Sequence, residues 1–371
     1  MERTALVVGG TGPTGPHVVN GLRERGYRVS IFHRGTHEIS EIPDDVEHVH
    51  ADPFSRSAAE GALEGRRFDV AVVMYGRLRV LAELLAGRVG RFLSVGGAPA
   101  YRGFMDPRAF SPAGMPVPVR EDAVRVASAE ESDKGFAIVR TEESVFRFQP
   151  EATHFRYPYV YGPRQPLPRE WCIVRRILDE RPFIIVPDDG LTLCTFAYVE
   201  SCARAILLAV DRPDASAGQI YNVGDEQVLT LRQVVETIGR ALDWPGEVVS
   251  LPWELALPAR PMVMQPATTH RVLDVAKLRT DLGYRDPVPP EEALARTARW
   301  LVENPPAPGG PEETVLEDPF DYEAEDRLVA SWRAALEALP DPGFARTPGL
   351  TMAYSDPRTP RVPRGTPDGD D

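Results

Sequence analysis

Three glycines near the amino terminus, Gly9, Gly12 and Gly15, have the spacing of a turn that can bind a diphosphate. Glycine permits a tight turn, lets the backbone approach a pyrophosphate closely, and allows the next helix to pack against the preceding strand. A helix that begins at such a turn directs its amino terminus at the phosphates. The sequence therefore predicts a dinucleotide site. Its predicted contacts in the turn are Gly9, Thr11, Gly12, Pro13, Thr14 and Gly15.

The residues that follow the next predicted strands bear on which dinucleotide binds. An acidic residue after the second strand would bind the ribose hydroxyls of NAD(H), but the sequence has His33 and Arg34. An arginine attracts a 2′-phosphate that a carboxylate would repel, so we predict NADP(H) in preference to NAD(H). Asp52 could contact the adenine amino group, and Met74 and Tyr75 end the fourth strand, where ligands of such sheets bind.

The elements around this turn support the interpretation. Residues 5–8 form a continuous apolar run typical of a buried parallel strand, and a helix at about 14–25 and a strand at 28–32 follow. Further buried strands are predicted at 69–74 and 91–95. This alternation predicts an α/β fold with a Rossmann-like, doubly wound parallel sheet.

The composition argues against several classes of protein. The 371-residue chain has a formal net charge of −13, whereas a protein that binds mainly nucleic acid needs a basic surface. No stretch reaches the roughly 18 to 20 apolar residues of a membrane span, and a buried strand close to Met1 argues against a signal peptide. Cys172, Cys194 and Cys202 lack metal-ligand spacing and are typical of reduced thiols. We therefore expect a cytoplasmic protein with a small-molecule substrate and no metal, nucleic acid or membrane partner.

Several motifs, in order, resemble those of the extended short-chain dehydrogenases/reductases, the NAD-dependent epimerase/dehydratase family. They include GGTGPTG, LSVGGAPAY, GFAIVRTEE and FRYPYVYGPRQ, and the resemblance covers roughly residues 4–303. It implies a cofactor domain at 1–163, a substrate-binding lobe at 164–303 with segments that return to the main sheet, and a homodimer. Residues 304–371 extend beyond it, and we predict one helix and then a flexible tail.

The resemblance also implies a catalytic triad that this sequence lacks. The family uses a Tyr as proton donor, a Lys four residues later that binds the nicotinamide ribose, and a Ser or Thr on the preceding strand. Counting back from Tyr101 places Gly97 at the Ser/Thr position, and Phe136 and Arg140 have the spacing of Tyr and Lys. Phe136 cannot transfer a proton, but Arg140 could still bind ribose hydroxyls.

Other tyrosines could replace the missing proton donor. Tyr101 follows the fifth strand, and Tyr159 stands where the family often has a substrate-contacting Asn. Tyr75 and Tyr161 are further candidates, and Tyr157 is predicted to contact the cofactor. For each catalytic candidate, the alternative is a packed aromatic side chain with a hydrogen-bonded hydroxyl.

In the predicted lobe, the resemblance implies that the helix after Arg164 lines the substrate pocket. Trp171 could stack on a substrate and Arg175 could pair with a carboxylate or phosphate, although a solvated amphipathic helix is the alternative. Arg271 resembles a position that often binds the diphosphate of nucleotide sugars.

These features favour an NADP(H)-dependent oxidoreductase that reduces a small-molecule metabolite with a non-standard proton donor. Reduction of a polarised C=C bond or an iminium needs less help from a Tyr–Lys pair than reduction of a ketone does. Three alternatives stay open on the same fold: a non-catalytic NADP(H)-binding sensor or scaffold, a nucleotide-sugar epimerase or dehydratase, and a redox-neutral isomerase or cyclase.

Overall fold

A computed structural model describes residues 3–36, 38–74 and 76–345 of the chain. The chain divides into two compact units, one ending at Glu325 and one beginning at Asp326. The predicted domain boundaries at residues 163 and 303 both fall within the first unit and stay predictions. Tyr75 and the predicted tail beyond residue 345 lie outside the described residues.

The described residues form eleven strands and thirteen helices, besides short 3-10 turns. The strands are β1 (Arg3–Val8), β2 (Tyr27–His33), β3 (Glu47–His50), β4 (Phe68–Val73), β5 (Val89–Gly97), β6 (Thr153–Tyr157), β7 (Tyr159–Tyr161), β8 (Phe183–Pro187), β9 (Phe196–Tyr198), β10 (Ile220–Asn222) and β11 (Glu247–Leu251). The helices are α1 (Gly15–Glu24), α2 (Arg56–Leu63), α3 (Leu78–Leu84), α4 (Asp133–Phe148), α5 (Trp171–Leu178), α6 (Val199–Asp211), α7 (Pro213–Ser216), α8 (Leu231–Ala241), α9 (Arg260–Val263), α10 (Ala276–Leu282), α11 (Pro290–Glu303), α12 (Pro311–Thr314) and α13 (Tyr322–Glu337).

Seven strands form the central sheet, in the order β10-β6-β5-β4-β1-β2-β3. Neighbouring strands in it run parallel throughout. This arrangement confirms the predicted α/β fold with a doubly wound parallel sheet. β8 pairs with β11 and β7 with β9 in two small parallel sheets beside it.

The two faces of the central sheet are covered by different helices, because side chains alternate along each strand. In β1, Ala5 and Val7 pack with residues of α1, α6 and α10, whereas Leu6 and Val8 pack with residues of α2, α3 and α4. All four side chains are fully buried. A strand buried on both faces explains why its sequence is a continuous apolar run.

The extension beyond residue 303 contains more structure than predicted. The predicted helix corresponds to the sixteen-residue α13, and the four-residue α12 precedes it. No helix in the described part of the chain has both the length and the apolar character that crossing a membrane requires.

Candidate cofactor and substrate site

The glycine turn connects β1 directly to α1 and bends the backbone sharply. Gly9 has a φ of 95°, which side-chain-bearing residues rarely adopt. The amide of Gly12 donates to the Gly9 carbonyl at 3.2 Å, and the amide of Gly15 donates to the Gly12 carbonyl at 2.9 Å. A Cβ on Gly15 would lie 2.2 Å from the carbonyl oxygen of Gly10, so the fold itself requires glycine there.

Gly12 differs, because the protein leaves room for a side chain at this position. A Cβ there would meet only the carbonyl oxygen of Gly9, at an ordinary 3.5 Å. A glycine that the fold does not require, at the start of a helix, suits the close approach of a pyrophosphate. Pro13 has no N–H, so Thr11 and Thr14 are the neighbours that can donate to a phosphate. The turn therefore fits a dinucleotide.

The other predicted cofactor residues lie near this turn, at the carboxyl ends of neighbouring strands. His33 ends β2, and Arg34 follows it. The amide of Met74, directly after β4, donates to the carbonyl of Val8 at 3.0 Å. Asp52 follows β3, and its carboxylate accepts from the amide of Phe54 at 2.9 Å. The fold thus brings the predicted adenosine side of the site together.

Tyr157 does not face the cofactor side. Its ring is buried in the core beneath α6, and its hydroxyl donates to the carbonyl of Cys202 at 3.3 Å. Burial raises the pKa of this hydroxyl well above its usual value. The prediction that the Tyr157 side chain contacts the cofactor is therefore not supported.

Helix α4 presents different residues to β5 than the predicted pair. The Cδ1 of Ile138 lies 3.7 Å from the position of a Cβ on Gly97. Lys134 precedes Ile138 by four residues and therefore lies on the same side of the helix. Arg140 is two residues away, about 200° around the helix, where it is exposed and bonds Glu143 at 3.3 Å. The assignment of Arg140 to the Lys position is thus wrong.

Phe136 lies on the same side of α4 as Arg140. It packs against a small apolar cluster of Ala100, Val126 and Val139. On the side of α4 that faces Gly97, the two residues with the spacing of the family's Tyr and Lys are therefore Lys134 and Ile138. Gly97, Lys134 and Ile138 thus stand at the three positions of the triad. The Tyr and Lys positions each lie two residues earlier than predicted.

A buried ion pair fixes this rotation of α4. Arg156 of β6 donates from its Nε and NH2 to the two carboxylate oxygens of Glu142, at 2.9 and 2.8 Å, and both side chains are about 1 % exposed. Arg125 adds a third bond to Glu142, at 2.7 Å. Although burial opposes ionisation, the hydrogen bonds and charge of Arg156 hold the pKa of Glu142 below its usual value.

Tyr101 belongs to the same network and is not placed to donate a proton to a substrate. It is 1 % exposed; its hydroxyl donates to Asn222 at 2.7 Å and accepts from Arg156 at 2.8 Å. Burial raises the pKa of Tyr101 to about 12. Its prediction as a catalytic residue is therefore contradicted by its packing.

Tyr159 and Arg271 do come together, beside an open cleft. The Tyr159 hydroxyl accepts from NH1 of Arg271 at 3.1 Å and donates to the carbonyl of Met264 at 3.2 Å. The guanidinium of Arg271 lies 5.0 Å from the Tyr159 ring centroid and 5.2 Å from that of Phe104. Tyr159 is partly exposed, so of Tyr101 and Tyr159 it is the candidate donor that a ligand can reach.

Arg271 is a buried cation without an observed carboxylate partner. It is 2 % exposed, its NH2 donates to the Val263 carbonyl at 2.9 Å, and its Nε has no hydrogen-bond partner. Among the described residues, none of the observed ion pairs involves Arg271. Isolated buried charges are costly, so this arrangement suits the binding of an anionic group.

Three clefts converge on this part of the lobe. Their volumes, which include space open to solvent, are about 520, 310 and 290 Å³. Arg169 lines all three, Tyr159 lines the first, and Arg271 lines the second. Arg169 was not identified from the sequence, where nothing distinguishes it from the other arginines and lysines.

Asp225 lines the smallest of these clefts and was also missed from the sequence. Its carboxylate accepts from the Tyr161 hydroxyl at 2.8 Å and from the Tyr198 amide at 3.0 Å. Burial raises its pKa to about 7. Tyr161, a lesser candidate from the sequence, is thereby buried in this pair.

Trp171 and Arg175 face the carboxyl-terminal extension and not the clefts. The Trp171 Nε1 and the Arg175 NH1 both donate to Glu313, at 3.1 and 2.6 Å. The Arg175 guanidinium also lies 4.0 Å from the Phe320 ring centroid. The prediction that these two side chains contact the substrate is wrong, because residues 309–322 cover this face of α5.

Comparisons with known proteins agree with this fold. The sequence model of the NAD dependent epimerase/dehydratase family matches residues 142–224, which include Glu142, Arg156 and Tyr159. The chain is similar to this family in this segment. Its fold is that of UDP-glucose 4-epimerase from Thermotoga maritima, with a TM-score of 0.64 and 20% identity over 81% of this chain and 99% of that chain.

Two curated relatives are similar to this chain over most of their own length and most of its length. UDP-N-acetyl-alpha-D-glucosaminuronate decarboxylase from Bacillus cytotoxicus is 24% identical over 82% of this chain and 99% of its own. The 3-diazoavenalumate denitrifying reductase from a Streptomyces species is 26% identical over 76% of this chain and 95% of its own. The relatives thus include both a sugar-nucleotide decarboxylase and a reductase.

Proposed function

We propose that this protein is an NADP(H)-dependent oxidoreductase that reduces a small molecule bearing an anionic group. Two features of the chain support the dinucleotide: the turn at Gly9–Gly15 fits a pyrophosphate, and Gly12 is a glycine that the fold does not need. The observation that carries the substrate class is Arg271, buried beside a cleft without an observed carboxylate partner.

The residues at the carboxyl end of β5 restrict the reaction. A bound nicotinamide would supply the hydride. Gly97 and Ile138 have no group that can hold or move a proton. The favoured substrates are therefore those that accept a hydride without also needing a proton from the protein. Hydride addition to an iminium carbon forms a C–H bond and moves the π pair to nitrogen, which yields a neutral amine. The likeness to a denitrifying reductase supports reduction.

The end of β2 favours NADP(H) within this proposal. His33 and Arg34 stand where an acidic residue would bind the ribose hydroxyls of NAD(H). Arg34 is exposed, and its charge suits a 2′-phosphate.

A nucleotide-sugar epimerase or dehydratase is the second candidate. The family description, the decarboxylase relative and a buried arginine suited to a diphosphate support it. Removal of an alcohol proton would need a base beside Gly97, and Lys134, one turn before Ile138 on the same side of α4, is the candidate. Such a reaction returns the cofactor to its starting state, whereas a reductase consumes NADPH.

The first test is titration of the cofactor-free protein with NADPH, NADP⁺, NADH and NAD⁺, read by nicotinamide fluorescence and calorimetry. We expect the tightest binding for NADPH or NADP⁺, and Arg34→Ala should weaken these two selectively. Absence of binding by all four would overturn the oxidoreductase proposal. Equal binding of NAD(H) and NADP(H) would overturn the preference alone.

The second test is turnover with pairs of candidate substrates that differ in one carboxylate or phosphate. We expect NADPH consumption with the anionic member, and Arg271→Met should raise its KM by at least about tenfold, or about 1.4 kcal/mol. Arg175→Met is the matched control, since Arg175 faces Glu313, and its KM should stay nearly unchanged. Product formation without net NADPH loss would instead support the epimerase or dehydratase. NADPH binding without turnover would support a sensor or scaffold.

A further inference from the structure

We propose that His33, His48 and His50, with Glu38, bind a divalent transition-metal ion, for which zinc is the best match. The proposal contradicts the expectation from the sequence that the protein has no metal partner. It does not rest on the proposed function, because the four side chains form the site without a dinucleotide.

The three imidazoles already lie together. One nitrogen of each lies within 4.8 Å of the others, and Nε2 of His33 is 3.0 Å from Nδ1 of His48. The Glu38 carboxylate oxygen is 3.3 Å from Nε2 of His50 and 3.8 Å from Nδ1 of His48. In tetrahedral zinc sites with Zn–N distances of about 2.0–2.1 Å, ligand atoms are about 3.3 Å apart. A small contraction would complete the coordination.

The sheet positions these ligands by its register. His33 of β2 pairs with His50 of β3, and His48 lies two residues before His50. Because strand side chains alternate, all three imidazoles project from one face of the sheet. β3 is the edge strand, so this face is open on one side. The sequence signal is His-x-His on a strand, at "HVH".

The donor set and its surroundings favour zinc. Three imidazole nitrogens and one carboxylate oxygen match the nitrogen and oxygen ligands of this ion. His33 is 6 % exposed, whereas the side chains of His48, His50 and Glu38 are 25, 50 and 59 % exposed. An ion can therefore enter from the solvent side.

One hydrogen bond must change when the metal binds. The amide of Gly35 donates to Nδ1 of His33 at 3.2 Å, so in the metal-free protein the ring proton is on Nε2. Ligation through Nε2 moves that proton to Nδ1. Rotation of the Arg34–Gly35 peptide would then present the Arg34 carbonyl to it, and Gly35, with a φ of 76°, tolerates the change better than other residues would.

The test uses the full chain after chelator treatment, titrated with ZnCl₂ by calorimetry and with CoCl₂ by visible absorption. We expect one equivalent of Zn²⁺ and the intense visible bands of four-coordinate Co²⁺. His48→Ala and His50→Ala should each weaken Zn²⁺ binding by more than the roughly 10- to 100-fold that loss of an outer-shell partner costs. His270→Ala, an exposed histidine elsewhere, is the matched control and should bind normally.

Three results would overturn the site. These are less than one equivalent of Zn²⁺ bound, a weak octahedral Co²⁺ spectrum, or unchanged affinity in the His48→Ala/His50→Ala double variant. Circular dichroism of each variant separates loss of the ligands from loss of the fold. The wild-type Co²⁺ spectrum decides the coordination number without any variant.

Discussion

The Cδ1 of Ile138 lies 3.7 Å from where a Cβ on Gly97 would stand, at the carboxyl end of β5. An aliphatic side chain and a glycine therefore meet where the family's Lys and Ser/Thr would be. Glu142, one turn beyond Ile138, forms the buried pair with Arg156 that holds α4 in this rotation. Phe136 and Arg140 lie roughly opposite Lys134 on the helix, so the rotation that brings Ile138 to Gly97 turns Arg140 away from it.

The first prediction concerns which side of α4 faces the cofactor. Ile138→Glu places a carboxylate beside Gly97 and should weaken NADPH binding by at least about tenfold, or about 1.4 kcal/mol. Arg140→Ala should leave the affinity within about twofold, or about 0.4 kcal/mol, because Arg140 is exposed and bonds Glu143. Fluorescence titration of both variants measures the difference. If Arg140→Ala weakened NADPH binding and Ile138→Glu did not, the result would support the predicted assignment of Phe136 and Arg140 to the Tyr and Lys positions.

The second prediction separates a glycine required by the ligand from one required by the fold. Gly12→Ala adds a methyl group that meets only Gly9, so thermal stability should be nearly unchanged. NADPH affinity should nevertheless fall by at least about tenfold, because the methyl group blocks close approach of the pyrophosphate. Gly15→Ala is the matched comparison, since its Cβ would lie 2.2 Å from the Gly10 carbonyl oxygen and should destabilise the protein without any ligand. Full NADPH affinity in Gly12→Ala would place the pyrophosphate elsewhere.

The third prediction tests the buried ion pair. Glu142→Gln leaves the Arg156 charge buried without its partner and should lower the free energy of unfolding by about 3–5 kcal/mol. Glu143→Gln is the control on the same helix. Its side chain is 43 % exposed, so the change should stay within about 0.5 kcal/mol. Urea denaturation measures both, and similar losses in the two variants would show that the pair does not stabilise the fold.

Local patterns predicted the fold and the glycine turn because both depend on residues that are close together in the sequence. The apolar run at 5–8 and the spacing of Gly9, Gly12 and Gly15 need no knowledge of the rest of the chain. The final helix of the lobe, α11, begins at the predicted Pro290, where proline fixes the start.

The parts of the site that depend on distant contacts could not be predicted in this way. The spacing of Phe136 and Arg140 is that of an i, i+4 pair, but the ion pair of Glu142 with Arg156, on β6, decides which side of α4 faces β5. Trp171 and Arg175 look like pocket residues until the segment that covers them, around Glu313, is in place. The sequence shows the His-x-His spacing of His48 and His50. The third histidine of the cluster, His33, comes close to them only because β2 pairs with β3.

The last prediction concerns pH and Asp225. Burial, reinforced by the nearby Asp286, raises its pKa from 3.8 to about 7, against the hydrogen bonds from Tyr198 and Tyr161. Between these two pH values the folded protein keeps a proton that the unfolded chain has lost. Stability therefore falls as pH rises through this window, and the loss is complete above the folded pKa. A shift of this size corresponds to up to about 4 kcal/mol.

Asp225→Asn removes this titration while keeping an acceptor for the Tyr198 amide and a donor toward the Tyr161 hydroxyl. Urea denaturation at several pH values between 5 and 8 should show the wild type losing stability relative to the variant as pH rises. Glu254→Gln, an exposed carboxylate elsewhere, should run parallel to the wild type. A constant difference between wild type and Asp225→Asn across this range would mean that Asp225 is already ionised at pH 5, and that its cleft is better hydrated than its packing indicates.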